Sequence, residues 1–232
     1  MTEVTPYNPL EKSNLGASVA EALLGRKPRQ LGSLDTFKGA GIYAIYYQGI
    51  FRPYQRLAIH NQGDDPQAPI YVGKAIPEGG RKGGKSPEGF KTQALFRRLK
   101  EHAESIKATT NIDLQDFICR FLVVDDIWIP LGESLLIAKY SPLWNVFIDG
   151  FGNHDPGSGR YGGLMPRWDV LHPGRKWAVR CKPRDETPEQ ISTDIEARLA
   201  QEPSLVRSRF LAEQRKAAYV VDKNVVDKHS DR

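Results

Sequence analysis

The sequence predicts a mixed α/β (α+β) fold. Runs of β-branched and aromatic residues bounded by turn-forming residues are typical of strands, and three such runs occur, at 41–47, 70–73 and 117–124. Apolar residues at spacings of three and four are typical of amphipathic helices, and they follow at 92–108 and 131–140. With 232 residues, the chain can bury one substantial core and carry long extensions.

The first two strands carry tyrosines that we expect in one pocket. Side chains alternate along a strand, so Tyr43 and Tyr47 share one face of the first strand, and Tyr71 lies on the second. A lone strand tyrosine is ordinarily a packing residue, and we interpret Tyr46 and Tyr47 in that way. The 48–69 segment is longer than a hairpin turn needs, so it should form an excursion.

The helix at 92–108 carries a polar pair beside its apolar stripe. Arg98 and His102 are four residues apart and therefore lie one above the other on a face next to that stripe. In isolation, such a pair usually belongs to a solvated face. The stripe consists of Leu95, Leu99, Ala103 and Ile106.

The third strand leads through two aspartates to the second helix, at 131–140. Glu133 lies in the first turn of that helix, which should end before Pro142. By default, a glutamate there is a favourable partner of the helix dipole. Asn145, a few residues further on, would by default cap or turn the chain.

Both flanks are less regular. We expect a helix at 14–24 with Asn14 as its cap, followed by a basic turn at 26–29. From 146 to 184 the chain is rich in Gly, Pro, Trp and Arg, which predicts structured loops or short strands, with His154 and His172 as loop residues. A capping box at 187–190 begins another helix, and a further helix is predicted at 204–218.

Composition permits a polyanionic partner without requiring one. The 33 Lys and Arg exceed the 28 Asp and Glu, which gives a formal charge of +5. Between residues 74 and 107, nine Lys and Arg stand against four Asp and Glu.

Only two cysteines are present, which argues against a disulfide framework and a zinc cluster. We see no signal peptide and no apolar run near the ~20 residues of a membrane span, so we expect a cytoplasmic protein without a membrane partner.

These motifs together resemble the GIY-YIG nuclease superfamily. The resemblance consists of Gly41-Ile42-Tyr43, Tyr71-Val72-Gly73, the Arg98 and His102 helix, Glu133 and Asn145, in the order of the superfamily. It covers about residues 41–145, and Val72 replaces isoleucine conservatively. The wide interval between the tyrosine motifs, the long tails and the Arg-x-x-x-His helix look most like the dimeric type II restriction enzymes that cut CCGCGG.

The resemblance implies a small three-stranded antiparallel sheet flanked by helices. It implies Mg²⁺-dependent cleavage of double-stranded DNA by a homodimer, and a cognate DNA methyltransferase in the same cell. The nuclease core would span 41–145, with a helical extension at 1–40 and an extension for DNA contact and dimerisation at 146–232. The implied catalytic residues are Tyr43, Tyr71, Arg98, His102, Glu133 and Asn145.

The residue types suit phosphodiester hydrolysis. Glu133 offers a hard oxygen ligand, so a single carboxylate with water and phosphate oxygens could hold one Mg²⁺. Arg98 offers a cationic fork to a phosphate oxygen. A tyrosine with an ordinary pKa of about 10 can act as a base only if a cation stabilises the phenolate or a neighbour takes its proton, and His102 is that neighbour. The sequence does not decide which tyrosine contacts the water.

DNA contacts should come from basic residues around this site and in the glycine-rich tail. Arginine can grip guanine O6 and N7 with two donors, so we expect base contacts from one or more of the tail arginines and phosphate contacts from the others. The expected DNA-binding residues are Lys74, Arg81, Lys82, Lys85, Arg160, Arg167 and Arg175.

One motif favours a different class. Residues 79–86 satisfy the G-x-x-x-x-G-K-[ST] pattern, and 121–125 imitate the strand and aspartate of a P-loop NTPase. A phosphate-binding loop must pass directly into a helix, whereas Pro87 and Gly89 follow here. We therefore interpret the run as a basic loop near DNA. The sequence also leaves open a homing or repair nuclease, and a DNA-binding module that does not cut.

Overall fold

The computed structural model describes residue 8 and residues 10–77, 91–155 and 161–201. Within these ranges the chain forms four strands, which are β1 (Arg29–Gln30), β2 (Gly41–Tyr47), β3 (Tyr71–Ala75) and β4 (Phe117–Val123). The helices are α1 (Lys12–Leu24), α2 (Gln55–Ile59), α3 (Ala94–Lys107), α4 (Ile129–Tyr140), α5 (Leu143–Val146), α6 (Arg167–Leu171) and α7 (Pro188–Gln201). None of the described helices is long and apolar enough to cross a membrane.

The strands form one antiparallel sheet in the order β1-β4-β2-β3. The α/β fold with a small antiparallel sheet is therefore confirmed, and the sheet has one more strand than expected. The extra strand is β1, where Arg29 and Gln30 pair with β4 at a place for which the sequence predicted a basic turn. Parallel pairing, on which P-loop NTPases are built, does not occur among the described strands.

β2 is the centre of the fold because all seven of its residues are buried and both of its edges are paired. One face, with Tyr43, Ile45 and Tyr47, packs into the core that contains Leu95 and Leu99 of α3. The opposite face carries Ile42, Ala44 and Tyr46 into a second core under α1 and α4. The predicted alternation of the first strand is thus confirmed, and Tyr46 and Tyr47 are packing residues.

The predicted helices that the structure describes have boundaries within two residues of the predicted ones. The expected cap Asn14 is wrong, because α1 begins at Lys12 and the Asn14 side chain instead donates to the Asn8 carbonyl. α4 ends as predicted before Pro142, with Ser141 in the left-handed conformation at φ 43°. The capping box of α7 is confirmed by reciprocal bonds between Thr187 and Gln190, at 2.8 and 3.3 Å.

The excursion between β2 and β3 contains a 3₁₀ turn (Arg52–Tyr54) and α2. Asn61, which is fully buried, closes its base. The Asn61 amide donates to the carbonyls of Tyr47 and Ala68 at 3.0 and 2.8 Å, and its oxygen accepts from the Ala68 N–H at 2.8 Å. The two ends of the excursion are thereby held together.

The chain after Asn145 joins the same core. Trp168 of α6 and Ile191 and Ile195 of α7 are fully buried in the cluster that contains Tyr43. In the described parts of the glycine-rich region, where the sequence predicted loops or short strands, the chain forms short helices and an isolated bridge between Leu164 and Lys182. His172, expected to be a loop residue, is fully buried and bonded to the Tyr54 hydroxyl at 2.7 Å. The predicted helix at 204–218 lies outside the described residues.

Candidate active site

The residues of the sequence motifs meet in a cleft beside β3, the edge strand of the sheet. Its volume is about 780 Å³. At this edge, side chains from both faces of the sheet can reach the same space, so α3 on one face and α4 on the other both contribute. The polar lining includes Tyr43, Tyr71, Lys74, Arg97, Arg98, Glu101, Glu133 and His154.

A buried aromatic cluster forms the floor of the cleft. The Tyr43 hydroxyl lies 2.6 Å from His102 Nε2, and the rings of Tyr43 and Tyr71 are 6.2 Å apart. Phe151 stacks on the His102 ring with centroids 4.6 Å apart and an interplanar angle of 17°. The expected shared pocket for the two phenols is therefore present. Both tyrosine rings contact the imidazole, but the hydrogen bond to its Nε2 comes from the Tyr43 hydroxyl, whereas the Tyr71 ring packs edge-on with centroids 5.2 Å apart.

Burial controls the protonation of this cluster. It raises the pKa of Tyr43 well above its ordinary value, Tyr71 raises it further, and the Arg98 guanidinium opposes both effects. The pKa of Tyr71 is raised by burial as well, again against Arg98. Burial also lowers the pKa of His102 well below its ordinary value, with Arg98 as the second cause. At neutral pH the imidazole is therefore uncharged, and its Nε2 can accept the proton of the Tyr43 hydroxyl.

Arg98 projects from α3 along the wall of the cleft. Its Nη2 donates to the Gly152 carbonyl at 2.7 Å, and its Nη1 contacts Glu101 at 3.1 Å and also the His154 ring. Its side chain is only 19% exposed, so the guanidinium is held in place rather than free in solvent. A fixed fork of this kind suits a phosphate oxygen.

Glu133 enters the cleft from α4, on the other face of the sheet. Its Oε2 lies 2.5 Å from Lys74 Nζ, and the side chains of Glu133 and Lys74 are 17% and 35% exposed. No group of three or more His, Cys, Asp or Glu side chains converges within the described residues. The carboxylates in the cleft lining are those of Glu133 and Glu101, so a metal ion there would also need oxygens from water or substrate.

Asn145 replaces a missing strand at the edge of the sheet. Its side-chain oxygen accepts from the Val72 N–H and its amide donates to the Val72 carbonyl, both at 2.8 Å. This pair of bonds imitates the ladder of a neighbouring strand. Asn145 therefore holds β3, and with it Tyr71 and Lys74, in position without entering the cleft lining.

Glycine at position 73 is required by the close approach of the two tyrosines. A Cβ atom there would lie 2.3 Å from the Tyr43 hydroxyl oxygen and 3.0 Å from Cε1 of Tyr71. The first distance is shorter than Cβ atoms adopt in proteins and the second is a tight contact, so a larger residue would push the phenols apart. The third residue of the second tyrosine motif is thus explained by packing.

A family model described as the Eco29kI GIY-YIG domain matches residues 35–199. The chain belongs to the Eco29kI GIY-YIG family. It is therefore a nuclease of the restriction type that acts on DNA. The matched range begins before β2 and ends within α7, so it includes the excursion and the C-terminal helices as well as the cleft. No curated protein matches the chain.

Sequence reasoning missed the loop that supports the cleft of this nuclease. Phe151 lies under His102, the Gly152 carbonyl anchors Arg98, and His154, which was expected to be an ordinary loop residue, contacts Arg98 at the rim. The only signal in the sequence is the glycine-aromatic-glycine pattern at 150–152, and nothing local connects it to a helix some fifty residues earlier.

The structure corrects the expectation that Arg175 is exposed for reading DNA bases. Its side chain is 4% exposed and forms a two-pronged pair with Asp169, at 2.6 and 2.5 Å. The remaining donors bind the carbonyls of Gly150, Phe151 and Asn153. Because every nitrogen is committed inside the protein, Arg175 is a support of the 150–153 loop.

Arg167 is also occupied within the protein, in disagreement with a base contact. Its guanidinium lies 2.9 Å from Glu186 and 2.7 Å from Asp194 of α7, and its side chain is 14% exposed.

Lys74 is the one expected DNA contact that the structure places in the cleft. The others, Arg81, Lys82, Lys85 and Arg160, lie outside the described residues, as does the 79–86 motif.

Two buried neutral histidines predict a loss of stability in mild acid. Burial lowers the pKa of His172 to about 3 and that of His102 well below 6.5. Below an unfolded pKa of about 6.5, the unfolded chain binds a proton on each ring and the folded chain does not. Each histidine should therefore lower the free energy of unfolding by about 1.4 kcal/mol per pH unit between about pH 6.5 and 5.

Urea denaturation across that range measures this slope. His172→Gln should reduce the slope by about 1.4 kcal/mol per pH unit, whereas His60→Gln, at an exposed position, serves as the matched control and should leave it unchanged. A stability that does not change over the range would contradict the burial of uncharged imidazoles.

The second prediction concerns Arg175. Arg175→Met should lower the free energy of unfolding by about 3 to 5 kcal/mol, because it leaves the Asp169 carboxylate buried without its partner. Adding Asp169→Leu removes that charge and should restore much of the loss. Thermal and urea denaturation of both variants measure the effect, and an Arg175→Met protein as stable as wild type would mean that the pair is not a structural support.

Proposed function

We propose that this chain is a Mg²⁺-dependent type II restriction endonuclease. It hydrolyses phosphodiester bonds of double-stranded DNA at a short GC-rich palindrome, with CCGCGG as the candidate site. The observation that carries the proposal is the contact of the Tyr43 hydroxyl with His102 Nε2 at 2.6 Å, in the same cleft as Arg98 and Glu133. Membership of the Eco29kI GIY-YIG family supports it.

The residues present fit a magnesium ion. Mg²⁺ prefers oxygen ligands and commonly keeps several waters while it binds one or two carboxylates and substrate phosphates. Glu133 supplies one partly exposed carboxylate that opens into the cleft. When bound, the ion would neutralise charge that develops on the phosphate and the leaving oxygen.

The residues of the chain divide the remaining tasks. The Tyr43 hydroxyl takes a proton from the attacking water while its own proton passes to His102 Nε2, which lies within hydrogen-bond reach. Arg98 orients a non-bridging phosphate oxygen from its fixed position on the wall. Tyr71 lines the cleft next to Tyr43, and Asn145 holds the strand that carries it.

The third prediction tests the carboxylate. Glu133→Gln should lower the cleavage rate by a factor on the order of 10³ or more, because the side chain that would bind the metal ion loses its charge. Plasmid DNA incubated with Mg²⁺ and analysed by mapping of the cut ends reports both the activity and the target site. Glu104→Gln, on the exposed face of α3, is the matched control and should cut at the wild-type rate.

Two outcomes would contradict the proposal. Cleavage by Glu133→Gln near the wild-type rate would remove Glu133 from the mechanism. Wild-type protein that binds duplex DNA but produces no cut ends with Mg²⁺ would instead favour a DNA-binding module that does not cut.

The proposal includes a homodimer, which is the basis of the fourth prediction. One such cleft cuts one strand, so a double-strand cut at a palindrome is most simply made by two copies related by two-fold symmetry. Analytical ultracentrifugation should therefore show two protomers per cognate duplex. A single protomer on a duplex that is nevertheless cut in both strands would overturn the dimer. A cognate DNA methyltransferase in the same cell, which would protect the host sites, belongs to the same proposal.

A further inference from the structure

Lys74 and Glu133 form the shortest ion pair that the cleft contains among the described residues. Lys74 Nζ lies 2.5 Å from Glu133 Oε2, so the ammonium occupies one of the two oxygens of the carboxylate that would hold a metal ion. Both side chains line the cleft that holds Tyr43 and Arg98. The carboxylate of Glu133 is thus paired with a cation of the protein, the Lys74 ammonium.

We propose that Lys74 and a divalent cation exchange at the Glu133 carboxylate. In the metal-free protein, the ammonium of Lys74 neutralises Glu133. When the metal ion binds, it displaces the ammonium, which is then free to contact a phosphate of the DNA. This inference rests on the proposed nuclease function, because that function supplies both the metal and the phosphate.

The geometry allows the side chain to move while the backbone stays fixed. Lys74 lies in β3, where it is paired with Ile42 of β2, and Val72 two residues earlier is held by Asn145. Its side chain is 35% exposed, and lysine carries its charge on a flexible four-carbon stem. The ammonium can therefore leave Glu133 and remain within the cleft.

Electrostatic repulsion and attraction decide whether Glu133 pairs with Lys74 or with the metal ion. An ammonium and a divalent cation cannot share one carboxylate oxygen without strong repulsion, so each lowers the affinity of Glu133 for the other. A phosphate in the cleft attracts the released ammonium and therefore favours the metal-bound arrangement. Binding of metal and binding of DNA then reinforce each other, and this coupling must be equal in both directions.

If the ion pair were only structural, replacing Lys74 would change the metal affinity no more than the loss of any other positive charge near the site. A titration of Mn²⁺ without DNA separates the two explanations, with binding measured by calorimetry and by the spin resonance of free Mn²⁺. Lys74→Met should bind Mn²⁺ roughly five- to tenfold more tightly than wild type, because the competing ammonium is gone. Lys74→Arg retains a cation that can pair with Glu133 and should bind as wild type does.

Two further variants locate the effect. Lys100→Met removes a positive charge from the exposed face of α3, outside the cleft lining, and should change the affinity less than twofold because that charge is screened by salt. Lys74→Met combined with Glu133→Gln should lose the gained affinity, because the carboxylate is the shared ligand. Circular dichroism melting confirms that each variant is folded.

Equal Mn²⁺ affinities of wild type and Lys74→Met would overturn the exchange, as would an equal gain in Lys100→Met. Absence of Mn²⁺ binding by both proteins would overturn it as well, because Glu133 would then not be a ligand that Lys74 competes for. None of these results depends on cleavage. A protein that fails to cut DNA but shows the gain would refute the proposed nuclease reaction and retain the exchange.

The coupling to DNA has its own measurement. Fluorescence anisotropy of a labelled duplex, in chelator and in Ca²⁺, compares the affinity of wild type with that of Lys74→Met. The comparison is made across a range of salt concentrations, because the slope of log affinity against log salt reports the number of phosphate contacts. In chelator the two slopes should be equal, although the variant binds more weakly because its Glu133 carboxylate lacks a neutralising cation. In Ca²⁺ the slope of wild type should be steeper by about one unit, in line with one additional phosphate contact. Equal slopes in Ca²⁺ would overturn the transfer of Lys74 to phosphate.

Discussion

The pairing of β2 with β3 is the constraint on which the rest of the site depends. β2 is buried on both faces and paired along both edges, so it cannot move, and β3 takes its register from it. Tyr43 stands opposite Gly73 in that register, and the missing side chain at Gly73 is what lets Tyr43 and Tyr71 approach each other. A shift of β3 by one residue would turn the Tyr71 phenol to the other face of the sheet, away from Tyr43.

Because β3 is an edge strand, the cleft can collect side chains from both layers of the protein. Arg98 and His102 arrive from α3 on one face, and Glu133 arrives from α4 on the other. An exposed edge would also leave backbone groups of β3 without partners, and Asn145 supplies two of the missing hydrogen bonds at Val72. The edge is therefore stable where it is braced and open where the substrate would bind.

A second support comes from the chain that follows. The Arg175 guanidinium binds Asp169 and three carbonyls of the 150–153 loop, and this loop places Phe151 under His102 and the Gly152 carbonyl against Arg98. Burial of the aromatic floor keeps His102 uncharged and both phenols protonated. The uncharged His102 therefore lies next to the Tyr43 phenol, and the positively charged side chains of Arg98 and Lys74 line the wall of the cleft.

The sequence by itself determined the elements and most of the site. Periodicity predicted β2, α3 and α4 to within two residues, because their apolar patterns are local and strong. The ordered motifs identified Tyr43, Tyr71, Arg98, His102 and Glu133 as residues of one cleft, and the structure brings all five together. No single motif was enough, because each of these residues alone has an ordinary structural explanation. The order of the motifs and their resemblance to the GIY-YIG superfamily identified the five together.

Only the tertiary structure decided the contacts that join distant segments. The partner of Glu133 is Lys74, the support of His102 is Phe151, and Arg175 is buried rather than exposed to DNA. An arginine among glycines looks the same in the sequence whether it faces solvent or an aspartate six residues away. The charge and spacing of side chains can be read from a short stretch of sequence. Their burial and their ion-pair partners depend on which surfaces meet after the chain has folded.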